Sequence, residues 1–392
     1  MKSVTASYRY DCRLFNGYKP CAYDSECEDC GHFEPRGPRV LVVRVTQLGN
    51  IVKSTPVLEA LHRKFERPWI TWLCSPVAAP LLQGHPLVDE VVEYTWEAVP
   101  LLMARHFDLI LSLEANRAEA ALAQLIPADD RLGFGVHESG CLMPIDERSE
   151  GYVSLSLSNR LRFKENQKTL AELCFDLLGV PYAGEEYSLY PTEDDVAYAR
   201  GLLASFGIEP GRDRIIALGT GGDTSRFPTK DWPPQHFGEL ARMLSTRCDA
   251  KLLLVGGPLE REVNEALARE LGGIVVNAGC GHSMMQFAAL LSLCDVSVSA
   301  DSFVFHVAVA MKTHVVGLFG PTPPQEMAIF GRGRKIVTEM PCAPCYLRRP
   351  EQCPHGVACM SGLAPEMVAE AVLEVLEQAW GGEECGSGES AR

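Results

Sequence analysis

Val40-Leu41-Val42-Val43-Arg44-Val45 leads into Gln47-Leu48-Gly49-Asn50 and then into apolar positions at Val57, Leu58, Ala60 and Leu61. The first run is rich in β-branched residues and shows almost no polar alternation. That is the pattern of a strand buried on both faces of a parallel sheet. A Gly-containing turn follows, and then a helix over residues 51–65. The unit repeats: residues 69–74, 88–94 and 107–113 predict strands, and residues 77–82 and 118–125 predict helices. Strand and helix in alternation mean βαβ units and a doubly wound sheet.

Residues 165–212 read as mainly helical, over 169–178 and 194–206, and close on Glu209-Pro210-Gly211. Alternation then restarts. Residues 214–218 predict a strand ending on Gly219-Thr220-Gly221-Gly222, and further strands fall at 251–255, 274–276, 296–300 and 315–319. Helices fall between them at 237–244, 260–271 and 284–293. The expected fold is α/β, with two Rossmann-like domains facing across a cleft. They occupy residues 38–205 and 206–364, followed by a helix over 365–381 and a disordered Gly/Ser/Glu tail over 382–392. Neither strand-to-helix turn carries Gly-x-Gly-x-x-Gly, which argues against a nicotinamide dehydrogenase.

The 392 residues suffice for two domains, and 46% hydrophobic with 22% charged residues is ordinary globular usage. Lys and Arg number 36 against 51 Asp and Glu, a net charge of −15 that argues against nucleic acid as a partner. No stretch reads as a transmembrane segment, and residues 1–11 hold no apolar run of a secretory signal. A cytoplasmic protein is expected, either free or peripheral at the inner face of the inner membrane. In that compartment the 15 cysteines suggest thiols and metal ligands more than disulfides.

Residues 1–37 are polar, poor in Val, Ile and Leu, and end on Pro35-Arg36-Gly37-Pro38. They hold Cys12, Cys21, Cys27 and Cys30, closed by one Cys-x-x-Cys. Four soft ligands on a segment without a core fit structural zinc, iron or an Fe–S site, with free or paired thiols as the alternative. Cys342, Cys345, Cys353 and Cys359 form a second quartet, either metal-holding or a Cys-rich loop. Lys230 follows a Gly-rich strand end, where an ammonium and backbone N–H groups can hold a diphosphate. Asp301-Ser302 ends a buried strand just before a helix, which its oxygens can cap.

Four stretches resemble glycosyltransferase family 9, the ADP-heptose:lipopolysaccharide heptosyltransferases of GT-B fold. They are residues 40–58 with Leu48-Gly49 and Thr55-Pro56; Phe227-Pro228-Thr229-Lys230-Asp231-Trp232-Pro233-Pro234; Asp301-Ser302 with His306, Ala308 and Phe319-Gly320-Pro321-Thr322; and Cys342-Ala343-Pro344-Cys345 with Cys353 and Cys359-Met360. The resemblance implies an inverting transfer of a heptose, or a related sugar, from an ADP-activated donor to a lipopolysaccharide core or other glycan. It makes residues 38–205 the acceptor domain and 206–364 the nucleotide-sugar domain. Donor binding falls to Gly219, Thr220, Gly221, Gly222, Ser225, Lys230, Asp301, Ser302 and His306. Gly49, Arg44 and Lys53 would meet the acceptor, although the two cations fit a solvated surface equally well. No catalytic metal is implied, since Asp-x-Asp is absent. Autotransporter heptosyltransferases of this family bind iron through a cysteine quartet near the C-terminus, a precedent for the second quartet here.

The sequence departs from the family at two site positions. Phe303 stands where members usually carry Gly, and Asn50 stands where they carry Asp as general base. An amide cannot take a proton from the acceptor hydroxyl. Glu114, at the carboxyl end of the strand over 107–113, is the best replacement base; a helix-capping acid is the alternative. Asn50 would then position the acceptor, or mark a catalytically weak chain. A sugar-nucleotide or glycan-binding protein without activity, and a heptosyltransferase acting on protein, are the rival readings.

Overall fold

The computed structural model describes residues 8–15, 17, 21, 23–221 and 227–381. The tail expected over 382–392 lies outside them. The first half builds β1 (Arg39–Val43), β2 (Trp69–Cys74), β3 (Glu90–Glu93), β4 (Phe107–Ser112), β5 (Ala128–Val136) and β6 (Leu142–Pro144). The second builds β7 (Arg214–Gly219), β8 (Ala250–Val255), β9 (Val275–Asn277), β10 (Val296–Ala300), β11 (His314–Phe319) and β12 (Gly333–Val337). The sheet orders are β3-β2-β1-β4-β5-β6 and β12-β11-β10-β7-β8-β9, so both halves have the same connectivity. Pairing is parallel throughout except between β5 and β6.

Val40, Leu41, Val42 and Val43 are all fully buried, as their unbroken apolar run requires. At roughly 1.5–3 kcal/mol per buried aliphatic side chain, β1 is a strong anchor for its half. In each sheet the order of strands reverses beside the first strand, between β1 and β4 and between β7 and β10. Connections leave in opposite directions there and open a crevice at the carboxyl ends. The two crevices belong to facing halves.

Three local expectations change. The single helix over 51–65 is two helices, Leu48–Ser54 and Val57–Lys64, because Pro56 lacks an N–H and crowds the preceding turn. Pro80 likewise reduces the helix over 77–82 to the 3-10 turn Ala79–Leu81. Strands β5, β6 and β12 gave no sequence signal; they are short, Gly-bearing or charged, and β6 and β12 are sheet edges.

The halves are joined by specific contacts. Arg162 makes two 2.7 Å bonds to the carboxylate of Glu326, and Glu186 receives Arg332 and Lys312. The Tyr198 hydroxyl lies 2.9 Å from His282 Nδ1, and helix Glu193–Ser205 packs on helix Met284–Ser292. Helix Pro365–Gly381 packs on β11 and on helix Pro234–Arg247.

The halves also approach closely at Gly49, where an added Cβ would stand 2.4 Å from His306 Cδ2. Gly49→Ala is therefore expected to destabilise the chain by about 1–3 kcal/mol, the cost of overpacking, and to widen the interdomain spacing. Thermal unfolding and small-angle scattering read both. An unchanged melting midpoint would show that the halves do not rest on this contact.

Candidate active site

The first crevice begins where β1 ends. Gln47 has φ of 62°, a left-handed conformation that turns the chain into helix Leu48–Ser54. The turn is held by Glu114, which lies just beyond β4. Its Oε2 accepts the N–H groups of Val45 and Thr46 at 2.9 Å each, and its Oε1 accepts the Thr46 hydroxyl at 3.0 Å. Only 4% of Glu114 is exposed. A general base needs a lone pair open to the acceptor. Buried and triply bonded, Glu114 is placed as a clamp on the turn. Asn50 sits half-buried on the rim, its amide hydrogen-bonded to Gln47 Oε1.

Arg44 is also not a surface cation. It is buried, its Nη1 donates to the carbonyl of Leu113, and its Nε has no partner. Lys53 lies one turn past Gly49 on the side facing the second half. It is buried, and its ammonium is 3.5 Å from Met327 Sδ. Burial pushes its pKa down to about 8, against the attraction of Asp301 and Glu326. Neither Arg44 nor Lys53 is the solvated surface cation that the sequence also allowed.

The second crevice is built around Asp301, just past β10 and 5% exposed. Lys230 Nζ lies 3.2 Å from Asp301 Oδ2 and 3.0 Å from its carbonyl oxygen. His306 Nε2 lies 3.1 Å from Asp301 Oδ1, one turn into helix Phe303–Ala310. Burial alone would raise the Asp301 pKa; Lys230 and the His306 hydrogen bond overcome it and hold the carboxyl well below the usual range. Burial pushes His306 down to about 4 despite Asp301. The imidazole is therefore neutral near pH 7. Because a carboxylate only accepts, Nε2 carries the proton, and the buried Nδ1 lone pair is unpartnered.

Lys230 has three N–H donors, of which Asp301 takes two. The ammonium lies 4.9 Å from the ring centroid of Phe227. Phe227 meets Tyr346 edge-on at 4.9 Å, and Arg162 covers Tyr346 at 4.5 Å. Ser302 is the N-cap of helix Phe303–Ala310, yet its hydroxyl makes no capping bond and is buried without a partner. The cluster thus holds one cation with a spare donor, an unused hydroxyl and a helix N-terminus, the parts that neutralise charge on a departing diphosphate.

Lys230, Asp301, Ser302 and His306 are thereby brought together, with Gly49 against His306. Gly219 leaves room for Val304, since a Cβ there would stand 2.8 Å from Val304 Cγ1. Gly221 does the same for Glu260 Oε1, at 2.2 Å. Thr220 turns away and donates to Asn264 Oδ1 at 2.6 Å. Gly222 and Ser225 lie outside the described residues. The Arg162–Glu326 pair and Tyr346 were not foreseen: Glu326 follows a Pro-rich turn with no periodicity to mark it.

Among the described residues, no group of three or more His, Cys, Asp and Glu side chains is gathered closely enough to hold a metal ion. In the second quartet Cys342 is exposed and Cys359 buried, and burial with the other three thiols pushes Cys359 up to about 11.

The sequence profile of glycosyltransferase family 9 (heptosyltransferase) matches residues 99–355. Lipopolysaccharide heptosyltransferase 2 of Escherichia coli K12 is 33% identical over 301 residues, covering 73% of this chain and 84% of that protein. The crystal structure of a family 9 glycosyltransferase from Veillonella parvula superimposes with TM-score 0.67 at 19% identity, over 87% of this chain and 97% of the other. The ADP-heptose lipopolysaccharide heptosyltransferase II of E. coli gives 0.66 at 18% identity, over 87% and 99%. Both structural matches carry the same two-domain fold.

Lys230→Ala is expected to weaken nucleoside diphosphate binding by about 1.5–3 kcal/mol, the worth of a hydrogen bond to a charged group. Calorimetry showing unchanged affinity would remove Lys230 from the phosphate site. The pH dependence follows from His306. Its folded pKa of about 4 lies below the unfolded value of about 6.5, so the unfolded chain binds the proton first on acidification. Stability should fall from about pH 6.5 towards pH 4, by at most roughly 1.4 kcal/mol per pH unit for this group. His85, also pushed down to about 4 by burial, adds to the slope. Denaturant midpoints of His306→Gln should fall less steeply across that window; an equal slope would mean His306 is not buried neutral.

Proposed function

Because this chain belongs to glycosyltransferase family 9, we propose that it transfers a heptose, or a related sugar, from an ADP-activated donor to a hydroxyl of a lipopolysaccharide core or another glycan. The observation that carries this reading is the Asp301–Lys230–His306 cluster opposite Gly49 and Asn50, a phosphate-neutralising half facing an open turn. The names of the relatives supply the donor and acceptor classes.

In the proposed reaction the diphosphate lies against Lys230, the Ser302 hydroxyl and the first N–H groups of helix Phe303–Ala310. As the bond from the anomeric carbon to the diphosphate breaks, negative charge builds on the leaving oxygen. Lys230 meets it with its spare N–H, in a site too dry for water to screen it. Asp301 holds Lys230 and His306 in place and stays ionised throughout. The acceptor hydroxyl approaches from the first half and attacks the opposite face of the sugar, inverting it; its oxygen bonds to the anomeric carbon as the bond to the diphosphate breaks, and its proton is released to solvent at the half-buried rim beside Asn50. Asn50 orients that hydroxyl, and Glu114 fixes the turn that carries Asn50. The work is cytoplasmic, peripheral to the membrane that holds the acceptor; no described helix is long and apolar enough to cross it. The second cysteine quartet has the ligand chemistry of an iron or zinc site, but its thiols as placed do not form one, and no step involves them.

The test is a screen of purified chain against ADP-, GDP-, UDP- and CMP-sugars with glycan acceptors, reading released nucleotide by mass spectrometry. Acceptor-dependent ADP release is expected. Release of another nucleotide would overturn the donor, and binding without release would favour a non-catalytic role. Asn50→Asp places a carboxylate at the rim; it should raise turnover by about 10²-fold where proton removal limits the rate. No gain in a chain that transfers sugar would show that Asn50 does not face the reacting hydroxyl.

A further inference from the structure

The N-terminal segment lies outside the residues matched to the family profile, and the transfer gives it no task. Its packing is nevertheless specific. Arg36 lies over the Trp69 ring at 4.5 Å and Arg13 over the same ring at 5.3 Å. Arg13 also pairs with Asp89, and Glu34 with Arg67 at 3.0 Å. Trp69 is the first residue of β2 and Asp89 the residue before β3, so the segment docks at the amino ends of the strands. The crevices open at the carboxyl ends, on the opposite side of the sheet.

Within this segment Cys12, Cys21, Cys27 and Cys30 rim one cavity of about 20 Å³, together with His32. That is room for a single ion or water. The apolar side chains around it are few: Leu14, Phe15 and Tyr23 complete the rim with Ser25. His32 is already stacked on Tyr23, with centroids 3.9 Å apart. Cys27 opens the 3-10 turn Cys27–Asp29, and Cys30 caps its end, so both sulfurs of the Cys-x-x-Cys come off one tight turn. The Cys12 backbone is held on both sides: its N–H donates to the Arg9 carbonyl at 3.0 Å, and the Arg36 guanidinium donates to its carbonyl at 3.1 Å.

We propose that Cys12, Cys21, Cys27 and Cys30 bind one tetrahedral divalent ion, zinc or iron, which staples the N-terminal segment to the sheet. The four sulfurs rim the cavity without being drawn onto a common centre, and an ion entering it would draw them in. Four thiolates are the usual complement of a closed structural site. Binding deprotonates the thiols and releases the protons to solvent, and the Arg36 guanidinium at the Cys12 carbonyl lies beside the resulting negative charge. A segment with so little core gains most of its order from such a bond. The role is structural, because the site and the crevices lie at opposite ends of the strands.

The experiment is metal analysis of the full chain purified without chelators, with variants that separate the two quartets. One equivalent of zinc or iron is expected. It should be lost in Cys27→Ser/Cys30→Ser and kept in Cys342→Ser/Cys345→Ser. Metal-free wild-type protein, or metal retained by the first variant, would overturn the proposal, as would disulfides among the four cysteines by non-reducing mass spectrometry. If the first variant fails to fold, Co(II) added to chelator-stripped wild type decides. Intense visible bands of tetrahedral thiolate cobalt support the site, and their absence refutes it. Stripping should lower the melting midpoint while nucleotide affinity of the folded protein is retained; a parallel loss of affinity would refute the structural role.

Discussion

A buried carboxylate is the constraint on which the second half is arranged. Asp301 stands at the end of β10, where solvent cannot reach it, and it stays charged because Lys230 and His306 face its two oxygens. An unpaired charge in that position would cost several kcal/mol, so the three residues are fixed as a unit. Lys230 must reach across from the loop after β7, and His306 must sit one turn into the helix after β10. The close packing of Gly219 on Val304 sets the distance between those two elements.

The first half has a buried acid at the equivalent place. Glu114 follows β4 as Asp301 follows β10, and these strands hold the same position in sheets of identical connectivity. The two acids are satisfied differently. Glu114 is held by two backbone N–H groups and one hydroxyl, which cannot leave without unwinding the turn. Asp301 is held by an ammonium with a donor to spare and by the single N–H of a neutral imidazole. One acid therefore fixes backbone geometry, while the other holds a cation that keeps a donor to spare. The difference lies in the partners, since burial is nearly the same.

This explains what was legible in the sequence. The buried strands were, because an unbroken apolar run has few other uses, and the Lys230–Asp301–His306 set was marked by its resemblance to the family's motifs. Glu114 was visible as an acid at a strand end, but backbone donors leave no mark on the residues that supply them. Its role as a clamp could not be told from that of a base. Arg44 and Lys53 read as acceptor contacts or solvated cations, because charge in a sequence usually means a surface open to solvent or ligand. Both are buried by the approach of parts distant in the chain: Leu113 for Arg44 and Met327 for Lys53. The edge strands β6 and β12 escaped notice because one flank of each is unpaired, so selection for apolar residues is weak there; β5 is interior but opens on charged residues and carries two glycines.

The meeting of Gly49 with His306 joins the two acids into one site. His306 is held by Asp301 on one side and lies against Gly49 on the other, so its ring is a wedge between the halves. Gly49 belongs to the helix whose entry turn Glu114 clamps, and Asn50 is the next residue. A ligand that shifts Lys230 or Asp301 must move against His306, and His306 cannot move toward Gly49 without displacing Asn50. The path is short and made of packed atoms, with a rigid helix at each end. Phe303 in place of a small residue acts in the same direction. It stacks on Phe287 at 6.3 Å, tying the start of the His306 helix to the neighbouring helix Met284–Ser292. A glycine there would let the backbone approach a phosphate more closely but would leave this helix less firmly seated. The chain thus trades close backbone approach for a stiffer wedge at the start of the His306 helix.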